Sequence, residues 1–215
     1  MHDGNNIFDR KTSFGGAEWE VDERANQLIR DGVIEPVIIV GIYNTAARLD
    51  EYTWHAMDLD GAMRGGNGAN YARFMVEELK PLIDQKFRTR PGREDTSVMG
   101  SSLGGLISFY LGKNYAHVFS NIGMMSPSIW WKDQQVIADI AGLSPDLKIW
   151  VDMGTREGQQ PDVMLQSAKK FVSGLEKANY QHHKNLAFHI EPGGTHSEQA
   201  WASRIERPLR FFFAK

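Results

Sequence analysis

Three side chains of the kinds used in nucleophilic catalysis occur along the chain in the order serine, acid, histidine. The serine is Ser102, in the run Gly100-Ser101-Ser102-Leu103-Gly104, which has the spacing Gly-x-Ser-x-Gly. A serine on a sharp turn from strand to helix needs residues without a Cβ where the two backbones approach, and the start of the helix favours a developing negative charge. The same glycine-rich turn also fits a purely structural role, in which it packs a helix on a sheet.

His196 is the histidine best placed to act as a base. The chain has seven histidines, and among them only His196 comes just after a predicted strand in a glycine-rich turn, Gly193-Gly194-Thr195-His196. The other six lie near the N-terminus, in loops, in helices or inside a strand. Residues beyond the carboxyl ends of parallel strands line the ligand site. We therefore predict that His196 takes the proton of Ser102 and returns it to a leaving group.

The acid that orients this histidine has three candidates near the predicted strand 147–153, namely Asp152, Glu157 and Asp162. Asp152 falls inside the strand, and Asp162 falls at the start of a helix, where an acid favours the helix dipole for structural reasons. Glu157 lies in the loop after the strand and is the favoured acid. Position along the chain does not decide between Glu157 and Asp152, because the choice depends on geometry.

The elements that must position these residues alternate between strands and helices. Runs of β-branched and other apolar residues predict strands at 37–42, 96–99, 121–125, 147–153 and 186–190. Helical spacing predicts helices at 18–30, 69–87 with a bend near Pro81, 103–110, 132–141 and 161–178, a closing helix through Phe213, and an irregular polar loop at 43–68. The alternation predicts an α/β fold with a mostly parallel sheet covered by helices on both faces.

Length and composition limit the class of protein. The 215 residues, 41% hydrophobic and 24% charged, predict one globular domain at 1–215. A net charge of -3 gives no general attraction for nucleic acid or anionic membranes, and the absence of cysteine excludes disulfides and thiolate metal sites. No apolar run has the length of a membrane span and no signal peptide is visible, so we expect a cytoplasmic protein without a membrane partner.

Several separated motifs resemble one family. They are the start 1–8, the stretch 40–52 with Asn44, Arg48, Glu51 and Tyr52, the turn at 100–105, and Ser126-Pro127-Ser128-Ile129-Trp130-Trp131. In this order they resemble the esterase D-like family of the α/β-hydrolases, which includes siderophore (enterochelin) esterases, feruloyl and acetyl-xylan esterases, and mycolyltransferases. The similarity covers nearly the whole chain and implies an α/β-hydrolase fold.

The resemblance also implies roles for single residues. Ser102 matches the nucleophile and His196 the base, while the acid of the family lies in the segment that is here Gly154-Thr155-Arg156-Glu157. The oxyanion hole is implied to consist of two backbone N–H groups, one from Leu103 and one from Asn5. Some siderophore esterases of the family work with little or no contribution from an acid, so a Ser-His dyad stays open.

The family pattern differs from this sequence in front of the segment His2-Asp3-Gly4. In the family an apolar strand precedes this segment and lies in the sheet between the strands that match 37–42 and 96–99, whereas the sequence here starts at Met1. Either upstream residues were removed, or the sheet closes over the gap, or a neighbouring chain fills it. Unpaired backbone groups in such a gap cost about 1–3 kcal/mol each. The predicted oxyanion donor of Asn5 depends on this region.

Arg48, Trp130 and Trp131 are the candidates for substrate binding. Arg48 either pairs with a carboxylate or phosphate of the substrate, or forms a structural ion pair with Asp50 or Glu51. The two tryptophans follow a strand end, where they form an aromatic wall unless one of them belongs to the core. The proposed chemistry needs no metal and no other cofactor.

Together these features predict a serine esterase, a carboxylic ester hydrolase that forms an acyl-enzyme on Ser102 and acts on a small-molecule ester. Two alternatives stay open. One is an acyltransferase with the same three residues, which passes the acyl group to an acceptor other than water. The other is a non-catalytic binding protein with the same fold. The sequence leaves the acyl and alcohol groups undefined, and it leaves the oligomeric state open, with a homodimer as one option.

Overall fold

A parallel sheet of four strands forms the centre of the computed structural model, which describes residues 1–215. The strand order is β3-β4-β5-β6, and a separate antiparallel hairpin consists of β1 and β2. The strands are β1 (Met57–Leu59), β2 (Ala62–Arg64), β3 (Ser97–Ser101), β4 (Asn121–Met125), β5 (Lys148–Arg156) and β6 (Leu186–Thr195). The three pairings in the main sheet are parallel, so the carboxyl ends of its strands lie along one edge. The predicted α/β fold is confirmed.

Helices lie on both faces of this sheet. They are α1 (Val21–Arg30), α2 (Arg48–Glu51), α3 (Gly68–Phe74), α4 (Lys80–Lys86), α5 (Leu103–Asn114), α6 (Trp131–Ala138), α7 (Pro161–Lys177), α8 (Glu198–Ala202) and α9 (Glu206–Phe213). Short 3-10 turns cover Gly4–Asn6, Phe14–Gly16 and Arg93–Asp95, and a π-helical turn covers Met75–Leu79. No helix combines the length and the apolar character that crossing a membrane requires.

Alternating side chains of the strands divide the core into two clusters, one on each face of the sheet. Val98 and Met124 belong to the cluster that α5 and α7 cover, whereas Met99 and Met125 belong to the cluster that α1 and α9 cover. Successive side chains of a strand point to opposite faces, so a sheet covered on both faces needs apolar residues at consecutive positions. This requirement explains the continuous apolar runs in the sequence of the strands.

The predicted strand 37–42 is wrong, because these residues are extended but pair with no strand along their length. Their backbone bonds to the rest of the protein lie at one end. The carbonyl of Val40 accepts from the amino group of Met1 at 2.7 Å, and the N–H of Ile42 donates to the carbonyl of Met1 at 2.9 Å. A strand in a sheet needs a hydrogen-bonded partner of similar length, and Met1 pairs with the segment 37–42 at only one position.

Met1 and His2 lie between the segment 37–42 and β3. Besides the bonds of Met1 to Val40 and Ile42, the N–H of His2 donates to the carbonyl of Met99 in β3 at 2.9 Å. The expected gap between the segment 37–42 and β3 is therefore present. Met1 and His2 fill only the carboxyl-terminal end of this gap.

The predicted helix 69–87 is interrupted. α3 ends at Phe74, the π-helical turn follows, and α4 starts at Lys80 with Pro81 in its first turn. Proline has no N–H and its ring crowds the preceding helical turn, and a wider turn relieves this conflict. The helix thus changes its type just before Pro81, and the expected bend there stays a prediction.

Other predicted boundaries shift as well. The loop predicted at 43–68 contains α2 and the hairpin β1–β2, and the closing helix is divided into α8 and α9. β5 and β6 extend further than predicted, to Arg156 and Thr195. As a result Glu157 and His196 directly follow the last residues of two neighbouring strands, whereas Asp152 lies within β5.

Candidate active site

Ser102 forms the junction between β3 and α5. Its backbone has φ 56° and ψ -123°, a positive φ that is strained for a residue with a Cβ. Its N–H donates to the carbonyl of Met125 at 3.0 Å, and its carbonyl accepts from the N–H of Ser128 at 3.0 Å. A Cβ on Gly100 would lie 2.7 Å from the carbonyl carbon of Gly104, so the glycine spacing is a steric requirement of this turn. This is the geometry of a nucleophile elbow.

The hydroxyl of Ser102 is half-buried and lies beside a second hydroxyl. Its Oγ is 3.1 Å from the Oγ of Ser128, and it makes no hydrogen bond with His196 in this structure. Contacts between a nucleophile and its base are often long before a substrate binds. Ser128 belongs to the motif 126–131, whose sequence alone does not indicate a contact with Ser102.

His196 and Glu157 form a hydrogen-bonded pair at the edge where the strands end. The Nδ1 of His196 lies 2.8 Å from the Oε2 of Glu157, whose side chain is fully buried, while the side chain of His196 is 30% exposed. The ring of Trp201 packs edge-on against the imidazole, with centroids 5.0 Å apart. The pair fixes the orientation of the imidazole and leaves its Nε2 free of protein partners.

Glu157 is held by donors on both carboxylate oxygens. Its Oε1 accepts from the Oγ of Ser126 at 2.5 Å and from the N–H of Gly154 at 2.6 Å, with the Nη2 of Arg204 at 3.4 Å. Its Oε2 forms the hydrogen bond with the Nδ1 of His196. These contacts fix the position of the buried carboxylate, and through it the orientation of the imidazole.

Asp152, the alternative acid of the sequence analysis, makes a different set of contacts. It is fully buried, accepts from the Nε of Arg204 at 3.0 Å and from the Nε1 of Trp150 at 2.8 Å, and makes no contact with His196. Burial raises the pKa of Asp152 above its ordinary value, although the charge of Arg204 acts in the opposite direction. Asp162, the third candidate, lies exposed in the first turn of α7.

Arg204 is the buried cation behind the acid. Its guanidinium also donates to the Oγ of Ser126 at 2.6 Å, so it contacts Asp152, Ser126 and Glu157 together. Arg204 is not recognisable in the sequence, because nothing in the local pattern distinguishes it from the nearby Arg207 and Arg210, which are exposed.

The two predicted oxyanion donors belong to neighbouring segments. Leu103 is the first residue of α5 and Asn5 lies in the 3-10 turn Gly4–Asn6, and neither backbone N–H has a partner in the protein. The loop that carries Asn5 lies against the elbow, because a Cβ on Gly104 would lie 3.2 Å from atoms of both His2 and Asp3. Free N–H groups of this kind bind an oxyanion well.

Asp3 holds this loop in place. It adopts a left-handed backbone with φ 54°, and its carboxylate accepts two hydrogen bonds from Arg48, at 2.7 and 2.8 Å, and one from the Nδ2 of Asn44 at 2.6 Å. The alternative that paired Arg48 with Asp50 or Glu51 is therefore wrong. The physical reason is that the planar guanidinium matches a carboxylate on both oxygens, and the nearly buried Asp3 offers that geometry. A contact of Arg48 with substrate stays a prediction.

The two predicted tryptophans of the aromatic wall occupy different environments. Trp130 is 39% exposed, whereas Trp131 is 3% exposed, belongs to the core and donates its Nε1 to the carbonyl of His55 at 2.7 Å. The prediction of substrate binding is thus corrected for Trp131, because its ring is enclosed by other apolar side chains. For Trp130 it stays a prediction.

Glu198 is a further acid of this region that the sequence analysis did not identify. It begins α8, two residues after His196, and its Oε1 accepts from the Nδ2 of Asn6 at 3.2 Å. Burial raises the pKa of Glu198, and the nearby charge of Asp3 acts in the same direction. Glu198 therefore connects the loop that carries Asn5 with the segment that carries His196.

Comparison with known proteins gives a family for this arrangement. The family described as "Putative esterase" matches residues 5–212. The uncharacterized protein YbbA of Bacillus subtilis (strain 168) is 26% identical over 223 residues, which cover 100% of this chain and 84% of that protein. An iron(III) enterobactin esterase of Dickeya dadantii (strain 3937) is 29% identical over 151 residues, which cover 66% of this chain and 34% of that protein.

A solved structure with the same fold is the BES protein from Bacillus cereus. The TM-score is 0.72 at 24% sequence identity, and the match covers 98% of this chain and 80% of that chain. The family match spans nearly the whole sequence, and the resemblance identified from the motifs is thereby confirmed. The chain belongs to this esterase family of α/β-hydrolase fold and is a carboxylic ester hydrolase.

Proposed function

We propose that the protein hydrolyses small-molecule carboxylic esters through an acyl-enzyme on Ser102, with His196 as general base and Glu157 as the orienting acid. The observation that supports this assignment most directly is the 2.8 Å hydrogen bond between the buried Glu157 and the Nδ1 of His196. With Nδ1 bound to the carboxylate, the neutral imidazole carries its lone pair on Nε2, the atom that must accept a proton.

In the first half of the reaction, the Oγ of Ser102 attacks the ester carbonyl carbon as its proton passes to the Nε2 of His196. The negative charge that develops on the carbonyl oxygen is stabilised by the N–H groups of Leu103 and Asn5. Collapse of this intermediate breaks the bond to the alcohol, which leaves with the proton held by His196. The acyl group remains on Ser102 as an ester.

In the second half, a water molecule gives a proton to His196 and attacks the acyl-enzyme. The carboxylic acid leaves, and the proton returns to the Oγ of Ser102. Throughout both halves Glu157 stabilises the imidazolium that forms transiently. The hydroxyl of Ser128 lies 3.1 Å from the Oγ of Ser102 and can hydrogen-bond to it before the attack.

The substrate class that we propose includes the esters named for relatives, namely enterobactin and feruloyl esters. The exposed ring of Trp130, which follows the same strand edge as Ser128, provides an apolar surface for an aromatic acyl group. A panel of acetyl, butyryl, feruloyl and catecholate esters, compared by kcat/KM, identifies the preferred acyl group.

Hydrolysis of a short p-nitrophenyl ester tests the assignment. We expect turnover that Ser102→Ala abolishes, together with covalent labelling of Ser102 by a fluorophosphonate probe. Ser101→Ala is the matched control, because Ser101 is the adjacent buried serine and its hydroxyl makes no hydrogen bond in the protein. Equal activity of Ser102→Ala and the unmodified protein would refute the assignment, and transfer of the acyl group to added alcohol in place of water would show the acyltransferase.

A further inference from the structure

Ser128 presents its hydroxyl to the oxygen of the proposed nucleophile. Its Oγ lies 3.1 Å from the Oγ of Ser102, and its N–H donates to the carbonyl of Ser102 at 3.0 Å. Ser128 is 1% exposed, so bulk water has little access to its hydroxyl. Two hydrogen bonds therefore connect Ser128 with the same residue of the elbow.

The segment that carries Ser128 is held on both sides. Before it, Pro127 packs against the start of α5, since a Cβ on Gly105 would lie 3.2 Å from the Cβ of Pro127. After it, Ile129 is buried in the core, and the N–H of Trp131 donates to the carbonyl of Ser128 at 3.1 Å. Because these contacts exist without a substrate, the hydroxyl of Ser128 needs no rearrangement to reach the elbow.

The hydrogen-bonding capacity of the two hydroxyls favours Ser128 as the donor. A serine hydroxyl has one proton to donate, and the Oγ of Ser128 bonds to no protein atom other than the Oγ of Ser102. The proton of Ser102 is needed for the Nε2 of His196 in the proposed reaction. A bond donated by Ser128 to Ser102 leaves that proton available, whereas the reverse bond does not.

A donor in this place acts on a different atom from the two oxyanion donors. The N–H groups of Leu103 and Asn5 are assigned to the carbonyl oxygen of the ester, whereas the hydroxyl of Ser128 faces the Oγ of Ser102. In the free enzyme this Oγ belongs to an alcohol, which accepts a hydrogen bond well. In the acyl-enzyme it is the single-bonded oxygen of an ester, which accepts poorly because its lone pair is delocalised into the carbonyl group.

The strength of this hydrogen bond therefore changes most when the acyl group is released. As the bond between the acyl carbon and the Oγ breaks, the Oγ gains negative charge, and hydrogen bonds to charged groups are the stronger ones. Only an interaction that is stronger in the transition state than in the state before it raises the rate. The gain is large from the acyl-enzyme and small from the free enzyme, in which the bond to Ser128 already exists.

Given the acyl-enzyme mechanism proposed above, on which this step rests, we propose that Ser128 is a catalytic residue of deacylation. Its hydroxyl donates a hydrogen bond to the Oγ of Ser102 as this atom leaves the acyl carbon. In this step water forms a bond to the acyl carbon and gives a proton to the Nε2 of His196. The electron pair of the broken bond stays on the Oγ, which takes the proton from His196. Ser128 keeps its own proton throughout.

Hydrolysis of p-nitrophenyl acetate by Ser128→Ala tests the proposal. Loss of a hydrogen bond to a charged group is expected to slow deacylation by about 10–100-fold. The acetyl-enzyme then accumulates, which stopped-flow measurement shows as a burst of p-nitrophenol and mass spectrometry shows as an acetyl group on Ser102. Because kcat/KM depends only on the steps up to acylation, we expect kcat and KM to fall by the same factor, with kcat/KM unchanged within about threefold.

A buried serine elsewhere provides the matched control. The hydroxyl of Ser167 donates to the carbonyl of Val163 within α7 at 2.9 Å, and Ser167→Ala is expected to keep the kinetics of the unmodified protein. Titration with a fluorophosphonate probe counts the competent molecules, so partial unfolding of Ser128→Ala does not imitate slow deacylation. Phenyl acetate gives a second measurement. It forms the same acetyl-enzyme, so Ser128→Ala is expected to have the same kcat with both esters.

Two results would overturn the role of Ser128. One is a fall of kcat/KM beyond about threefold in Ser128→Ala, which would show that the residue acts in acylation, on the carbonyl oxygen or on the elbow. The other is decay of the acetyl-enzyme at the rate of the unmodified protein, which would show that the contact does not assist deacylation. Failure of the proposed function gives a different result, namely full activity of Ser102→Ala.

Discussion

Removal of the buried charge of Arg204 is the perturbation with the most clearly defined consequences. Arg204 is 1% exposed and its guanidinium contacts two fully buried carboxylates, Asp152 at 3.0 Å and Glu157 at 3.4 Å. Arg204→Met retains a side chain of similar length but leaves both carboxylates without their cation. Removing one partner of a buried ion pair costs about 3–5 kcal/mol, which for a chain of this size lowers the Tm by about 6–20 °C.

A second substitution separates the lost charge from the lost packing. In the double variant Arg204→Met/Asp152→Asn, a neutral amide replaces the carboxylate at position 152. We therefore expect this variant to regain about half or more of the free energy of unfolding that Arg204→Met loses. Arg207→Met is the control, because Arg207 lies three residues away and forms an ion pair with Glu191 at 2.8 Å while its side chain is 43% exposed. Exposed pairs contribute about 0–1 kcal/mol, so this control shifts the Tm by only a few degrees at most.

The pH dependence of the loss gives an independent check. Burial already raises the pKa of Asp152, and without Arg204 it rises further. A carboxyl whose pKa is raised on folding destabilises the protein at high pH and ceases to do so as the pH falls towards the ordinary carboxyl range. The difference in Tm between the protein and Arg204→Met is therefore expected to shrink from pH 7 to pH 5, as measured by circular dichroism. A small loss, or a loss that does not change with pH, would refute this reasoning.

Four further substitutions test other parts of the site. Glu157→Gln is expected to lower kcat for a p-nitrophenyl ester by about 10²–10⁴-fold by disturbing the imidazole tautomer, and retention of activity within twofold would favour the Ser-His dyad. Arg48→Ala is expected to lower kcat by about 10–10³-fold with little change in KM, because the loop that contains Asp3 and the oxyanion donor Asn5 loses its ion pair. A rise in KM alone would instead assign Arg48 to substrate binding. Gly100→Ala is expected to lower the Tm measurably, since overpacking costs about 1–3 kcal/mol, and an unchanged Tm would contradict the steric argument at the elbow. Glu198→Gln is expected to raise the Tm at pH 7 but not at pH 4, because a raised pKa destabilises only where the carboxyl is ionised, and a pH-independent effect would contradict this.

The sequence predicted those features that depend on local pattern and chain order. Consecutive apolar residues indicated buried parallel strands, and the positions of Ser102, Glu157 and His196 just after three of these strands indicated one common edge. The structure places Ser102 at the elbow and brings Glu157 and His196 together within hydrogen-bonding distance. Their roles in catalysis stay predictions until variants are assayed.

The sequence did not predict features that depend on long-range contacts. The segment 37–42 has the composition of a central strand, but a strand forms only when a neighbour pairs with it along its length. Here Met1 and Gly4 bond only to Val40 and Ile42, at one end of the segment. Arg48 was paired with its sequence neighbours Asp50 and Glu51, whereas its partner Asp3 lies 45 residues away. Arg204 is 47 residues from Glu157, and local pattern carries no information on such a pair.

Two arginine–aspartate pairs support the two halves of the proposed site. Arg48 and Asp3 stabilise the loop that carries one oxyanion donor, and Arg204 and Asp152 lie behind the carboxylate that orients His196. Buried ion pairs contribute little net stability, because the desolvation of the charges offsets much of their attraction. A role in orientation explains both pairs better than a role in stability. Apolar replacement of Arg204 together with Asp152, unlike removal of Arg204 alone, is therefore expected to leave a folded protein whose kcat is lowered more than its Tm would suggest.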